Sequence, residues 1–121
     1  MRTVLIIEDD KNISYALTAL LESEGYATLS AENGSGALEL LQNHEMPHLI
    51  LLDMIMPGMN GWEFAKEFFS RYENRAPIIV MTAAADVEQR AQDVRAIGWI
   101  MKPFSPDVLI SLIKKHATAQ G

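Results

Sequence analysis

Residues 3–10 read TVLIIEDD: five apolar or β-branched positions in a row, then three acids. A run with no polar alternation describes a strand buried on both faces, which is how strands of a helix-covered parallel sheet read. The same device recurs down the chain. Residues 48–52 read HLILL and stop at Asp53; residues 78–81 read IIVM and stop at Thr82; residues 98–101 read GWIM and stop at Lys102-Pro103. Residues 26–30, YATLS, form a shorter and more polar strand, as expected at a sheet edge.

Helical patterns fill the intervals. Ile13, Ala16, Leu17, Leu20 and Leu21 recur at helical spacing, and Gly25 stands where a C-terminal glycine belongs. Asn33-Gly34-Ser35-Gly36 opens a second helix carrying Ala37, Leu38, Leu40 and Leu41, and Pro47 ends the connection. After a turn-rich loop over 54–60, a helix over 62–72 turns Ala65, Phe68 and Tyr72 inward. A weaker helix over 86–97 has Val87, Ala91 and Val94 inward, and Val108, Leu109, Leu112 and Ile113 mark a last one ending about five residues before the end of the chain. Five strands alternating with five helices imply a doubly wound α/β fold with a parallel sheet, since each parallel crossover needs a helix. Such sheets bind ligands beyond the carboxyl ends of their strands. Those ends carry Glu8, Asp9, Asp53, Thr82 and Lys102.

Composition narrows the function classes. The 121 residues fit one domain, 1–121, with no repeat, linker or low-complexity segment. Ten Lys and Arg against sixteen Asp and Glu give a net charge of −6, which argues against nucleic acid as a direct partner. There is no cysteine, so disulfides and thiolate chemistry are excluded. The longest apolar run is far too short to span a membrane, and the first ten residues have no signal-peptide core; a cytoplasmic location is expected.

Three carboxylates from two strand ends crowd one small site. Two like charges about 5 Å apart repel by roughly 3 kcal/mol at an effective dielectric near 20, so a cation is expected among them. An all-oxygen donor set suits Mg²⁺, or Mn²⁺ in its place, and the absence of Cys or nearby His disfavours zinc. A carboxylate can also act as a nucleophile and form an aspartyl phosphate. Asp53 is the best candidate, since it ends the most apolar strand and a Pro/Gly loop follows it. A lysine ammonium and a threonine hydroxyl, Lys102 and Thr82, would hold the phosphoryl oxygens.

With these residues in view the chain resembles the receiver domains of two-component response regulators. VLIIEDD at 4–10, LILLDMIMPGMNGWE at 49–63, IIVMTA at 78–83 and KPF at 102–104 carry the likeness, in order from Arg2 to about Ala117. The resemblance implies a flavodoxin-like sheet of strand order 2-1-3-4-5. It also implies a phosphoryl group taken from a sensor histidine kinase or a histidine phosphotransfer protein. Asp53 matches the phosphoacceptor, Glu8 and Asp9 the acidic pair, with Asp9 the direct metal ligand and Glu8 acting through water. The backbone carbonyl of Ile55 matches a further metal ligand, Thr82 the switch hydroxyl and Lys102 its charged partner. A cis peptide before Pro103 is implied as well. The chain is then not an enzyme on other substrates but a phosphoacceptor module that catalyses its own phosphorylation and dephosphorylation. No effector domain follows in this chain, which is then either a stand-alone regulator or a piece of a longer protein; as it stands, its output would pass through an unidentified protein target.

Departures from the pattern carry their own expectations. The switch aromatic is Trp99, whose bulk predicts restricted rotation or an outward pose on a partner surface. The stretch from Thr82 to Lys102 is about two residues short, so the fourth helix is expected to be shortened or shifted. Ile55 and Ala84 occupy the positions that tune dephosphorylation, and neither side chain can orient water, which predicts slow self-hydrolysis. Asp10 is expected to be merely solvated. Two other functions are open to such a sheet. A phosphatase of the aspartyl-phosphate type wants a second acid at position 55, where isoleucine stands. A phosphorylation-independent pseudo-receiver would act by protein binding alone. Gly34-Ser35-Gly36 is too short for a nucleotide loop, Pro47 separates His44 from His48 as a metal pair, and the aromatics at 62–72 read as core and rim.

Overall fold

In a computed structural model of the chain, residues 2–56, 58–73, 75–83 and 86–119 are described, with side chains as far as 116. Pro57, Ala84 and Ala85 lie outside these residues. The elements alternate throughout: β1 (Thr3–Ile7), α1 (Lys11–Ser23), β2 (Ala27–Ala31), α2 (Gly34–Asn43), β3 (Leu49–Asp53), α3 (Gly61–Tyr72), β4 (Ile78–Thr82), α4 (Val87–Asp93), β5 (Gly98–Met101) and α5 (Pro106–Ala119). All pairings are parallel, in the order β2-β1-β3-β4-β5, so the doubly wound, flavodoxin-like topology is present and the polar strand is indeed an edge.

Each central strand feeds two cores, because successive side chains point to opposite faces. Leu5, Ile7, Ile50, Leu52, Ile78 and Val80 pack with α2, α3 and α4. Val4, Ile6, Leu49, Leu51, Ile79 and Met81 pack with α1 and α5. This two-sided burial explains why the strands are unbroken apolar runs in the sequence.

The helices differ from expectation in instructive ways. Asp10, far from being only solvated, caps α1: its carboxylate accepts from the backbone N–H of Asn12 and Ile13. Gly25 takes φ +91° just past α1, as a C-terminal glycine should. Ala16 is exposed, because Leu17 and Leu21 already face the sheet. In α3 the most deeply buried ring is Phe64, stacked 5.7 Å from Phe68, and an Asn60–Glu63 capping box starts the helix. The fourth helix ends at Asp93, well before residue 97, since Arg95 takes the left-handed φ of +58°. Val87, Ala91 and Val94 are buried as expected. In α5 the phase is set by Leu109, Ile110 and Ile113, which leaves Val108 exposed, and the helix continues to Ala119.

Candidate functional site

Strand register assembles the site. Ile7 pairs with Leu52, so the next residues, Glu8 and Asp53, leave adjacent strands at one level. Thr82 pairs with Met101, and the Lys102 N–H donates to the Thr82 carbonyl at 2.9 Å, bringing Lys102 to the same edge. The Lys102–Pro103 peptide is cis. Residues separated by 94 positions in the chain thus become neighbours.

Glu8, Asp9 and Asp53 each present a carboxylate oxygen within 4.8 Å of the others, the set of acids among the described residues that could hold a metal ion. Glu8 and Asp53 are buried and Asp9 is exposed, so the cluster opens to solvent through Asp9. Lys102 donates to Glu8 Oε1 in a direct contact and to Asp53 Oδ2 at 3.3 Å. Its ammonium therefore sits between the two buried acids, a pairing no single stretch of sequence reveals. One ammonium cannot neutralise three carboxylates, so the site keeps an excess of negative charge facing outward. An all-oxygen, acid-rich set of this kind fits a hard divalent ion and not a soft one.

Burial dominates the electrostatics of Glu8. It pushes the carboxyl up to about 7, against the hydrogen bonds from Lys102 and the Asp10 N–H, and the Asp53 charge adds to the rise. For Lys102, burial works against the ammonium, but the bond to Glu8 and the charges of Asp53 and Glu8 outweigh it and raise its pKa.

The remaining residues fall as follows. Thr82 is buried at the end of β4. Ile55 donates its N–H to Asp53 Oδ1 at 3.2 Å and turns its side chain to solvent. Trp99 stands 43% exposed on β5, the outward pose, flanked by exposed Ile97 and Met101. His48 and His44 are far from this chemistry: one accepts from the Thr3 N–H, and the ring Nδ1 of the other bonds the Leu40 carbonyl.

A parallel five-stranded sheet with an acidic cluster and a lysine at its carboxyl edge defines a receiver-type domain. The chain belongs to that family: the model of the response regulator receiver domain matches residues 4–114. Regulatory protein AtoC of Escherichia coli is 35% identical over 120 residues, 98% of this chain and 26% of its own length. Sporulation initiation phosphotransferase F of Bacillus subtilis is 36% identical over 115 residues, 93% of this chain and 91% of its own length. The chain thus spans about a quarter of one relative and nearly all of the other. Among solved structures, the response regulator TrrA of Thermotoga maritima, in complex with Mg²⁺–BeF, superposes with a TM-score of 0.84 at 33% identity, over 95% of this chain and 98% of that one. The protein is accordingly a receiver domain of two-component signalling. No helix among the described residues is long and apolar enough to cross a membrane.

Proposed function

We propose that the chain, as a single receiver domain over 1–121, accepts a phosphoryl group on Asp53 in a Mg²⁺-dependent reaction and thereby changes the face it offers to a downstream protein. The observation that carries this reading is the cluster of three carboxylates within 4.8 Å, with Lys102 reaching both buried members. Asp9 and Asp53, with the Ile55 carbonyl and Glu8 through water, would hold the ion. When bound, Mg²⁺ supplies charge neutralisation for an incoming phosphoryl group. An Asp53 oxygen attacks phosphorus; the new P–O bond forms as the donor's P–N bond breaks, and the donor imidazole leaves with the electron pair. Lys102 exchanges carboxylate partners for a phosphoryl oxygen, and the Thr82 hydroxyl donates to another.

The donor must bring its histidine to the open side of the cluster. An apolar groove of about 420 Å³ runs beside Lys102, lined by Ile13, Leu17 and Leu20 of α1 and by Pro103, Phe104 and Pro106. It suits the apolar stripe of a helix from a sensor kinase or phosphotransfer protein. The exposed row of Ile97, Trp99 and Met101 suits the downstream target. Self-hydrolysis is slow in this reading, because the Ile55 side chain beside the acceptor has no group to orient a water.

Intact mass after incubation with acetyl phosphate and Mg²⁺ tests the reading, alongside Asp53→Asn and a chelated sample. One added phosphoryl group, lost in both controls, is the expected result. A chain that binds Mg²⁺ yet gains no mass overturns it in favour of a receiver that signals by contact alone.

A further inference from the structure

The loop that follows Asp53 carries Ile55, and its placement depends on two backbone contacts. The Gly61 N–H donates to the Met54 carbonyl at 3.1 Å, and the Gly34 N–H, from the first turn of α2, donates to the Met59 carbonyl at 3.1 Å. Between these two pins the chain runs through Ile55 and through Gly58, whose φ is +73°.

Both donors are glycines set against the loop too closely for a side chain. A Cβ on Gly61 would stand 2.7 Å from Met54 Cα and 3.1 Å from the Asp53 carbonyl oxygen, so backbone itself would have to shift. A Cβ on Gly34 would stand 2.6 Å from Met59 Cγ, 2.8 Å from its Sδ and 3.0 Å from Phe64 Cβ. The other described glycines are unlike these two. Gly25 and Gly58 have positive φ and open space, and Gly36, two residues along α2, would meet only ordinary contacts at 3.6 and 3.7 Å. Gly34 is the informative one. It occupies a helical position, where glycine is a poor choice, and its backbone does not require it. What crowds it is the Met59 side chain of the loop opposite, backed by Phe64 Cβ at the start of α3.

We propose that Gly34 and Gly61 are positioning residues for the metal-binding loop, which set the Ile55 carbonyl and the Asp53 backbone against Asp9. The proposal rests on the metal-dependent reading above and adds to it a residue on α2, outside every motif of the site. Supporting groups of this kind act through the ligands they hold and not by touching the ion.

Mn²⁺ titration of the full chain, followed by electron paramagnetic resonance of the free ion, tests it, with urea unfolding in EDTA as the measure of fold. Gly34→Ala and Gly61→Ala are expected to weaken Mn²⁺ on the order of tenfold. Gly36→Ala, which makes the same helix-favouring change two residues away, is expected to bind as wild type. Removing the two nearest obstructing atoms in Gly34→Ala/Met59→Ala, which leaves only the 3.0 Å approach to Phe64 Cβ, is expected to restore the affinity of Met59→Ala alone. Wild-type binding by both single variants, or equal loss in Gly36→Ala, overturns the proposal. Should a single variant fail to fold, the double variant decides: restored binding supports the brace and persistent loss overturns it. A wild type that binds no Mn²⁺ overturns instead the metal reading on which it rests.

Discussion

β3 is one strand in two environments. Leu49, Ile50, Leu51 and Leu52 have no exposed surface and are wholly apolar; one residue later Asp53 is almost as buried and carries a carboxylate. β1 repeats the contrast, with Val4 to Ile7 fully buried and then Glu8 at 2% exposure. Along the strand bodies each buried aliphatic side chain contributes roughly 1.5–3 kcal/mol. At the strand tips the sign reverses, because an ionised carboxylate loses hydration it recovers only in part from Lys102. The fold draws its stability from the bodies and carries a local cost at the tips. That cost is what a cation in the proposed site would offset.

The largest test of this contrast lies in the bodies. Leu51→Ala is expected to destabilise the chain by about 2–5 kcal/mol in urea unfolding while leaving Asp53 competent in the folded fraction. An effect of the opposite sign is expected at the tip. Glu8→Gln removes a buried charge whose pKa is displaced from 4.5 to about 7, and should stabilise the metal-free chain at pH 8 by about 1–3 kcal/mol. A destabilised Glu8→Gln would break the comparison.

The pH dependence follows with a smaller effect. Between its unfolded and folded pKa values, the native chain holds a proton on Glu8 that the unfolded chain has released. The associated stability is complete below 4.5 and is lost as pH rises through about 7. Metal-free unfolding measured at pH 6 and pH 8 should differ by about 1 kcal/mol in favour of pH 6. If the proposed site holds Mg²⁺ through its ionised acids, saturating Mg²⁺ should raise Tm more at pH 8 than at pH 6. The smallest effect is expected beside the tips, on α4. There Arg90 pairs with Asp86 and lies over the Trp62 ring at 4.8 Å. Arg90→Ala should cost no more than about 1 kcal/mol, and faster amide exchange confined to α4 would sharpen the picture.

The strand bodies were legible in the sequence because a run such as LILL admits only a two-sided burial. The identities of the tip residues were legible for the same reason, as the points where those runs stop. Their partnerships were not. Nothing local tells Lys102 that it will lie between Glu8 and Asp53, because register across four strands, from β1 to β5, decides it. Helix phase was blurred where apolar residues exceed one face: Val108 and Ile110 compete in α5, and only burial in the core shared with Ile79 and Ile100 selects the second. The early end of α4 turns on one left-handed residue, Arg95, which composition does not flag. The brace at Gly34 was hidden because its reason lies in the loop that follows β3 and in the first turn of α3, far along the chain.

The exposed pose of Trp99 has an optical consequence, because the chain contains only one other indole. Trp62 holds a long hydrogen bond from its ring N–H to Asp93 at 3.5 Å and lies beneath the Arg90 guanidinium, so its emission depends on the gap between α3 and α4. Trp99 stands on the edge strand, within reach of a collisional quencher such as iodide. The unlabelled protein thus carries two fluorophores in different settings: Trp99 reports the β5 edge, and the half-buried Trp62 reports the seating of α4.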